Sequence, residues 1–190
     1  MAAEGHIDIG TSGWHYAHWR GVFYPDTLPA DWWLRYYMDH FGTVEINNSF
    51  YQLPDEATFE QWRNTVPKGF VFAVKASRYL THMKKLKEPH EPLARFLERV
   101  NVLKDRKGPL LFQLPPRWRV NVARLRAFLA ALPAELRCAF EFRDPTWFRP
   151  EVYEALAEHH AAFCIYDLAG QTSPKAVSYT HLRAHETKAN

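Results

Sequence analysis

Six short apolar runs, each followed by a segment with helical spacing, limit what this chain can fold into. The runs cover residues 7–10, 43–47, 70–75, 109–113, 137–142 and 162–167. They are rich in β-branched and aromatic residues, and several are bounded by Gly or Pro, which is how buried strands read. Between them the apolar spacing changes to three and four. Residues 31–41 gather Trp32, Leu34, Tyr36, Tyr37 and Phe41 on one broad face. Asp55 is placed to cap a helix carrying Phe59 and Trp62. Residues 92–103, 122–132 and 150–160 repeat the helical pattern, with Phe96, Phe128 and Leu156 among their apolar positions. Strands alternating with helices predict a parallel sheet with helical crossovers.

Two architectures meet that description. An open doubly wound sheet brings a Gly-rich phosphate turn straight from its first strand into a helix. Here Gly10-Thr11-Ser12-Gly13-Trp14 lacks that spacing and leads into a long aromatic loop. A (β/α)8 TIM barrel takes roughly 250 residues. Six units at the present pitch leave two more to come. The expected fold class is therefore α/β, a (β/α)8 TIM barrel that is incomplete here, with about six of its eight βα units.

The end of the chain needs separate treatment. Residues 177–187, Val-Ser-Tyr-Thr-His-Leu-Arg-Ala-His-Glu-Thr, resemble one translated frame of a transposase adapter used in sequencing libraries. Residues 1–176 are thus expected to be a partial barrel domain, and residues 177–190 a foreign tail. His181, His185 and Glu186 mimic helix-borne metal ligands and are set aside with it.

Bulk properties narrow the function. Hydrophobic residues make up 47% and aromatic residues 15%, which suits a packed core and excludes a disordered chain. Of the formal net charge of +3, Arg183, Lys188 and Glu186 contribute +1, so the body carries +2. That is too little to argue for nucleic acid from charge alone. Lys84, Lys85 and Lys87 read as a solvated loop. Cys138 and Cys164 lie in strand-like runs without metal or redox spacing, so buried free thiols are expected. No apolar stretch has membrane-spanning length and the N-terminus lacks signal-peptide character. No membrane partner and a cytoplasmic location are expected.

The polar residues fall late in each run. In TIM barrels the strand ends form the active-site mouth. Strand alternation puts Glu45 with Asn47, and Glu141 with Arg143. Lys75, Gln113 and Asp167 each end a run. Uncompensated charge in a barrel is costly, so these groups must pair or meet water or a ligand. Lys75 with Glu45, and Arg143 with Glu141, are the pairings that an internal ion lattice would use. Trp14, Tyr16, Trp19, Phe50, Tyr51 and Trp147 follow strand ends, where rings can wall a pocket or pack beneath loops. His82 stands in the long loop after the third run, and His15 and His18 are weaker candidates.

These motifs together resemble a known family. Gly10-Thr11-Ser12-Gly13-Trp14, Phe23-Tyr24-Pro25, Val44-Glu45-Ile46-Asn47, Ser49-Phe50-Tyr51, Phe72-Ala73-Val74-Lys75, Thr81-His82, Phe112-Gln113-Leu114-Pro115-Pro116 and Phe140-Glu141-Phe142-Arg143 through Trp147 look like domain of unknown function 72, the YecE-like family. The resemblance covers residues 7–176. It implies a TIM barrel whose mouth is lined by these motif residues, and it brings no settled reaction. Barrels of this kind resemble endonuclease IV-like and sugar isomerase-like barrels, which implies a divalent metal by fold analogy alone.

Three functions compete on this basis. A hydrolase of phosphodiesterase type, metal-assisted or not, would use Glu45, Lys75, Glu141, Arg143 and Asp167 in catalysis. Trp14, Asn47, Phe50, Tyr51, His82, Gln113 and Trp147 would bind its substrate. Acid/base chemistry on a sugar would rest on Glu45 and Glu141. A non-catalytic module would instead bind nucleic acid or a phosphorylated or sugar ligand through the cations and loop aromatics. A six-stranded fragment with two unpaired edges is also expected to aggregate when expressed alone.

Overall fold

The structure, a computed structural model, describes residues 6–168 and 170–175. The tail assigned to residues 177–190 lies outside the described residues. Six parallel strands form one sheet in strict chain order: β1 (Gly10–Ser12), β2 (Thr43–Ile46), β3 (Val71–Lys75), β4 (Lys107–Leu114), β5 (Cys138–Phe142) and β6 (Ala162–Phe163). A doubly wound sheet would reverse its order partway. This one never does, so it is the wall of an incomplete TIM-barrel-like α/β fold. A short antiparallel hairpin follows, β7 (Asp167–Leu168) with β8 (Gln171–Thr172).

Five α-helices occupy the crossovers: α1 (Trp33–Met38), α2 (Glu56–Thr65), α3 (His90–Val100), α4 (Val122–Ala130) and α5 (Pro150–Glu158). Their starts follow local chemistry. Asp55 accepts the Thr58 backbone N–H at 2.8 Å, as its position predicts. Asn121 does the same for Arg124 at 2.9 Å. Pro150 opens α5, where its missing N–H costs nothing. None of the helices among the described residues is long and apolar enough to cross a membrane.

The sheet has two different faces. Val44, Ile46, Phe72, Val74, Phe112, Phe140 and Phe142 are buried in the main core shared with Phe59, Phe96, Phe128 and Leu156 from the helices. The opposite face carries a separate small cluster of Leu111, Ala139, Ala162 and Cys164. Period-two alternation sorts β4, β5 and β6 between these layers. The same alternation puts Glu45, Lys75, Gln113 and Glu141 on the second face: Glu45 is in register with Ala73, Lys75 with Leu111, and Gln113 with Glu141.

Strand positions depart from the sequence reading at both ends. The first strand is Gly10–Ser12, displaced from residues 7–10, and Ile7 and Ile9 are exposed. Pairing needs Gly10 itself: a Cβ there would stand 2.2 Å from the Thr43 carbonyl oxygen. The sixth strand stops at Phe163, with Cys164 still donating its N–H to the Phe140 carbonyl at 2.8 Å. Both cysteines are buried free thiols, and burial pushes Cys138 up to about 12.

Candidate functional site

The C-terminal strand ends carry the polar groups, and each is fixed by a different local device. At β2, Ser12 donates its hydroxyl to Glu45 Oε1 at 2.8 Å, across the register pair Ser12–Glu45. Just beyond, the buried Ser49 hydroxyl lies 2.9 Å from the Ile46 carbonyl and 2.6 Å from that of Lys75, so it ties the ends of β2 and β3 together. That turn holds Asn47, whose buried Oδ1 has no hydrogen-bond partner among the described residues. Phe50 follows, half-buried, and Tyr51 is 71% exposed.

Lys75 ends β3 and is buried, with its Nζ 5.2 Å from the Phe50 ring centre. That aromatic face offsets part of the cost of holding the ammonium there. The chain then forms a π-helical turn, Tyr79–Met83. Such turns are rare and concentrate at functional sites. This one sets the His82 ring edge-on to Phe50, 4.9 Å between centres, with Nδ1 2.9 Å from Thr81 Oγ1. The Thr81 hydroxyl also reaches the Ser77 carbonyl at 3.3 Å. A hydroxyl has one proton. Given to Ser77, it leaves a lone pair to accept Nδ1–H, and His82 Nε2 then carries the imidazole lone pair.

Burial holds the His82 pKa below its ordinary value, and the neighbouring positive charges of Arg78 and Lys75 lower it further. The folded state therefore binds fewer protons than the unfolded chain just below the ordinary histidine pKa of about 6.5. The stability this neutral ring contributes is whole above that pH and is lost as pH falls through it toward the folded value. A proton NMR titration of the His82 ring should give a midpoint below about 6.5. A midpoint at or above it would show an open, solvated ring.

At β5, Glu141 and Arg143 form a buried ion pair, with side chains only 1% and 7% exposed. Arg143 Nε donates to Glu141 Oε1. The Cys164 thiol lies 3.9 Å from Glu141 Oε2. Arg143 also lies over the Tyr166 ring at 4.4 Å. Desolvation raises the Tyr166 pKa, against a lowering by Arg143. Gln113, in register beside Glu141 on β4, is half-buried.

Glu45, Asn47, Phe50, Lys75, His82, Gln113, Glu141 and Arg143 thus share the strand-end layer, with Tyr51 edge-on to Phe50 at its exposed rim. Three expected members do not. Asp167 lies beyond the sheet, exposed on β7, because the chain leaves the strand ladder after Cys164. Trp147 is fully buried: it stacks on Phe142 at 5.0 Å, meets Trp118 edge-on, and donates Nε1–H to the Trp118 carbonyl at 2.6 Å. Trp14 packs edge-on against Trp62 at 5.1 Å within the helix-side core. Both indoles pack beneath loops, whereas Phe50 is half-buried and Tyr51 exposed.

No group of three or more His, Cys, Asp or Glu side chains gathers among the described residues in a way that would hold a metal ion. The carboxylates are also committed elsewhere: Glu45 to Ser12, Glu141 to Arg143, and Asp167 outside the layer. The described donor set therefore does not fit the divalent metal implied by fold analogy. Arg78 and Tyr166 also border this layer and fall outside the motifs quoted from the sequence; Ser12, Ser49 and Thr81 fall within those motifs but carried no individual role there. Each acts through a partner far away in sequence or through a backbone turn.

Comparison with known proteins agrees with the geometry. The family model described as protein of unknown function DUF72 matches residues 8–189. The chain is similar to the UPF0759 protein YunF of Bacillus subtilis, 30% identical over 158 residues that make up 78% of this chain and 54% of YunF. It spans about half the length of that curated relative. Among solved structures, a DUF72 family protein from Thermotoga maritima superposes with a TM-score of 0.77 at 31% identity, covering 88% of this chain and 68% of that one. A DUF72 family protein from Enterococcus faecalis gives 0.71 at 20% identity, covering 85% and 61%, which speaks to the fold alone. The strand-end motifs, the sequentially ordered parallel sheet and these matches place the chain in the DUF72 family.

Proposed function

We propose that the strand-end layer serves a hydrolase of phosphodiesterase type. The observation that carries this reading is His82, kept neutral by burial beside Lys75 and Arg78. A base whose lone pair stays available near neutral pH, next to cations, suits attack of water on an anionic ester. His82 Nε2 takes a proton from the attacking water as its oxygen bonds to phosphorus. The bond from phosphorus to the leaving alcohol breaks, and the imidazolium returns the proton to the leaving oxygen. Lys75 and Arg143 offset charge on the phosphoryl oxygens, and Glu141 positions Arg143. Asn47, Gln113, Phe50 and Tyr51 bind the rest of the substrate, and Glu45, held by Ser12, orients water or a substrate hydroxyl.

The test is hydrolysis of bis(p-nitrophenyl) phosphate by the full chain and by its His82→Gln variant. The variant should lose about a hundredfold or more in kcat, with little change in KM. Equal rates in the two proteins would remove His82 as the base. Ligand binding without turnover in the parent would favour the non-catalytic alternative.

A further inference from the structure

Beside the mouth, and sharing none of its residues, lies an open cleft of about 540 Å³ between the loop after β3 and the start of α4. We propose that this cleft binds a free phosphorylated small molecule of nucleotide size. Its walls carry Lys84, Lys85, Lys87 and Arg124 against one carboxylate, Glu88. Lys84 Nζ is bound to Glu88 at 2.8 Å, so that pair is internally neutral. Three positive charges are left facing one cleft in a chain whose whole formal charge is +3.

Two independent features point the same way. Lys85, Leu86 and Glu88 all have positive φ, at 49°, 63° and 45°, as does Arg117 at 59° in the loop that carries Trp118. Side chains rarely adopt this region, and non-glycine residues held there cluster at ligand clamps. Here they hold Lys85 and Lys87 in one fixed bend. Arg124 is the third residue of α4, where the helix dipole disfavours a cation. An anion beside it would satisfy both the guanidinium and the helix terminus. The remaining wall is apolar, formed by Met83, which is 66% exposed, and the edge of Trp118. A phosphate group would meet the cations and a flat apolar ring would meet the thioether. The cleft volume falls in the small-ligand range of roughly 300–1,000 Å³, which argues for a bounded molecule over a strand.

The test is isothermal titration calorimetry of the full chain with ADP and with inorganic pyrophosphate. ADP should bind, pyrophosphate should compete with it, and raised salt should weaken both. The double variant K85E/K87E changes only exposed side chains, and Arg124→Gln keeps the helix. Each should weaken ADP binding about tenfold or more, with far-UV circular dichroism unchanged. The proposal is overturned if neither ligand binds, or if folded K85E/K87E binds ADP as tightly as the parent. It is also overturned if a short oligothymidylate binds there and ADP does not displace it. Loss of phosphodiester hydrolysis in His82→Gln with ADP binding intact would separate this cleft from the mouth.

Discussion

Glu141→Ala should cost about 3–5 kcal/mol in a urea unfolding experiment, because it leaves the Arg143 guanidinium buried without its carboxylate. Both partners are nearly inaccessible to water, so neither charge recovers hydration when the other goes. The lost attraction is only part of the cost. The carboxylate also accepts from the Cys164 thiol at the edge of the small second core, so that corner of β5 and β6 loosens together. A double replacement, Glu141→Leu with Arg143→Met, removes both charges and should restore most of the stability, since an apolar pair of similar volume is often no worse than a buried ion pair. The double variant should nevertheless lose any affinity for anions at the mouth. Recovery of fold without recovery of binding would separate the structural from the chemical use of the pair. A Glu141→Ala loss below about 1 kcal/mol would mean that water reaches Arg143.

Trp147→Ala should cost about as much, 3–5 kcal/mol by the same method, through the cavity left beneath the loop after β5. The ring is fully buried between Phe142 and Trp118, and its Nε1–H serves the Trp118 carbonyl. Trp147→Phe keeps an aromatic stack but removes that donor. Its cost should be about 1–3 kcal/mol, the range for leaving a buried acceptor without its partner. Neither change should alter ligand affinity at the mouth once the fraction folded is accounted for. A variant with unchanged stability and weakened ligand binding would return Trp147 to the ligand face.

The fold was largely legible because five of the six strand-like runs overlap the observed strands of the sheet at their apolar core, and helical spacing fills the segments between them. The pairing of Glu141 with Arg143 needed only the two-residue period of a strand, and it is present. Gln113 and Glu141 were each placed late in their runs, but their alignment in register is set between strands and not by the period of either one. Asp167 failed for a physical reason. A continuous apolar run reads as strand to its last residue, yet ladder bonding to β5 ends at Cys164 and the chain turns into a hairpin. Ser12 stood within the first motif, but its bond to Glu45 could not be read, because alignment across 33 residues is encoded by no local pattern. Trp14 and Trp147 illustrate a further limit: an aromatic ring after a strand has the same sequence signature whether it faces a ligand or caps a core. Lys85 and Lys87 are indeed exposed, but the bend that turns them into a wall lies in backbone angles that the residue types do not announce.

The strictly sequential strand order also sets how the sheet can assemble. Among the described residues every strand of the sheet pairs only with its neighbours along the chain, so none of these pairings must wait for a distant segment to be made. Each step closes one crossover loop of similar span, and the entropy it costs is repaid at once by a new strand pair and its covering helix. The layer can therefore grow by accretion as the polypeptide leaves the ribosome, N-terminal units first. Until its successor docks, the newest strand presents a bare hydrogen-bonding edge. Synthesis rate and chaperone access at that moving edge, more than the depth of the final energy minimum, would govern the yield of folded protein.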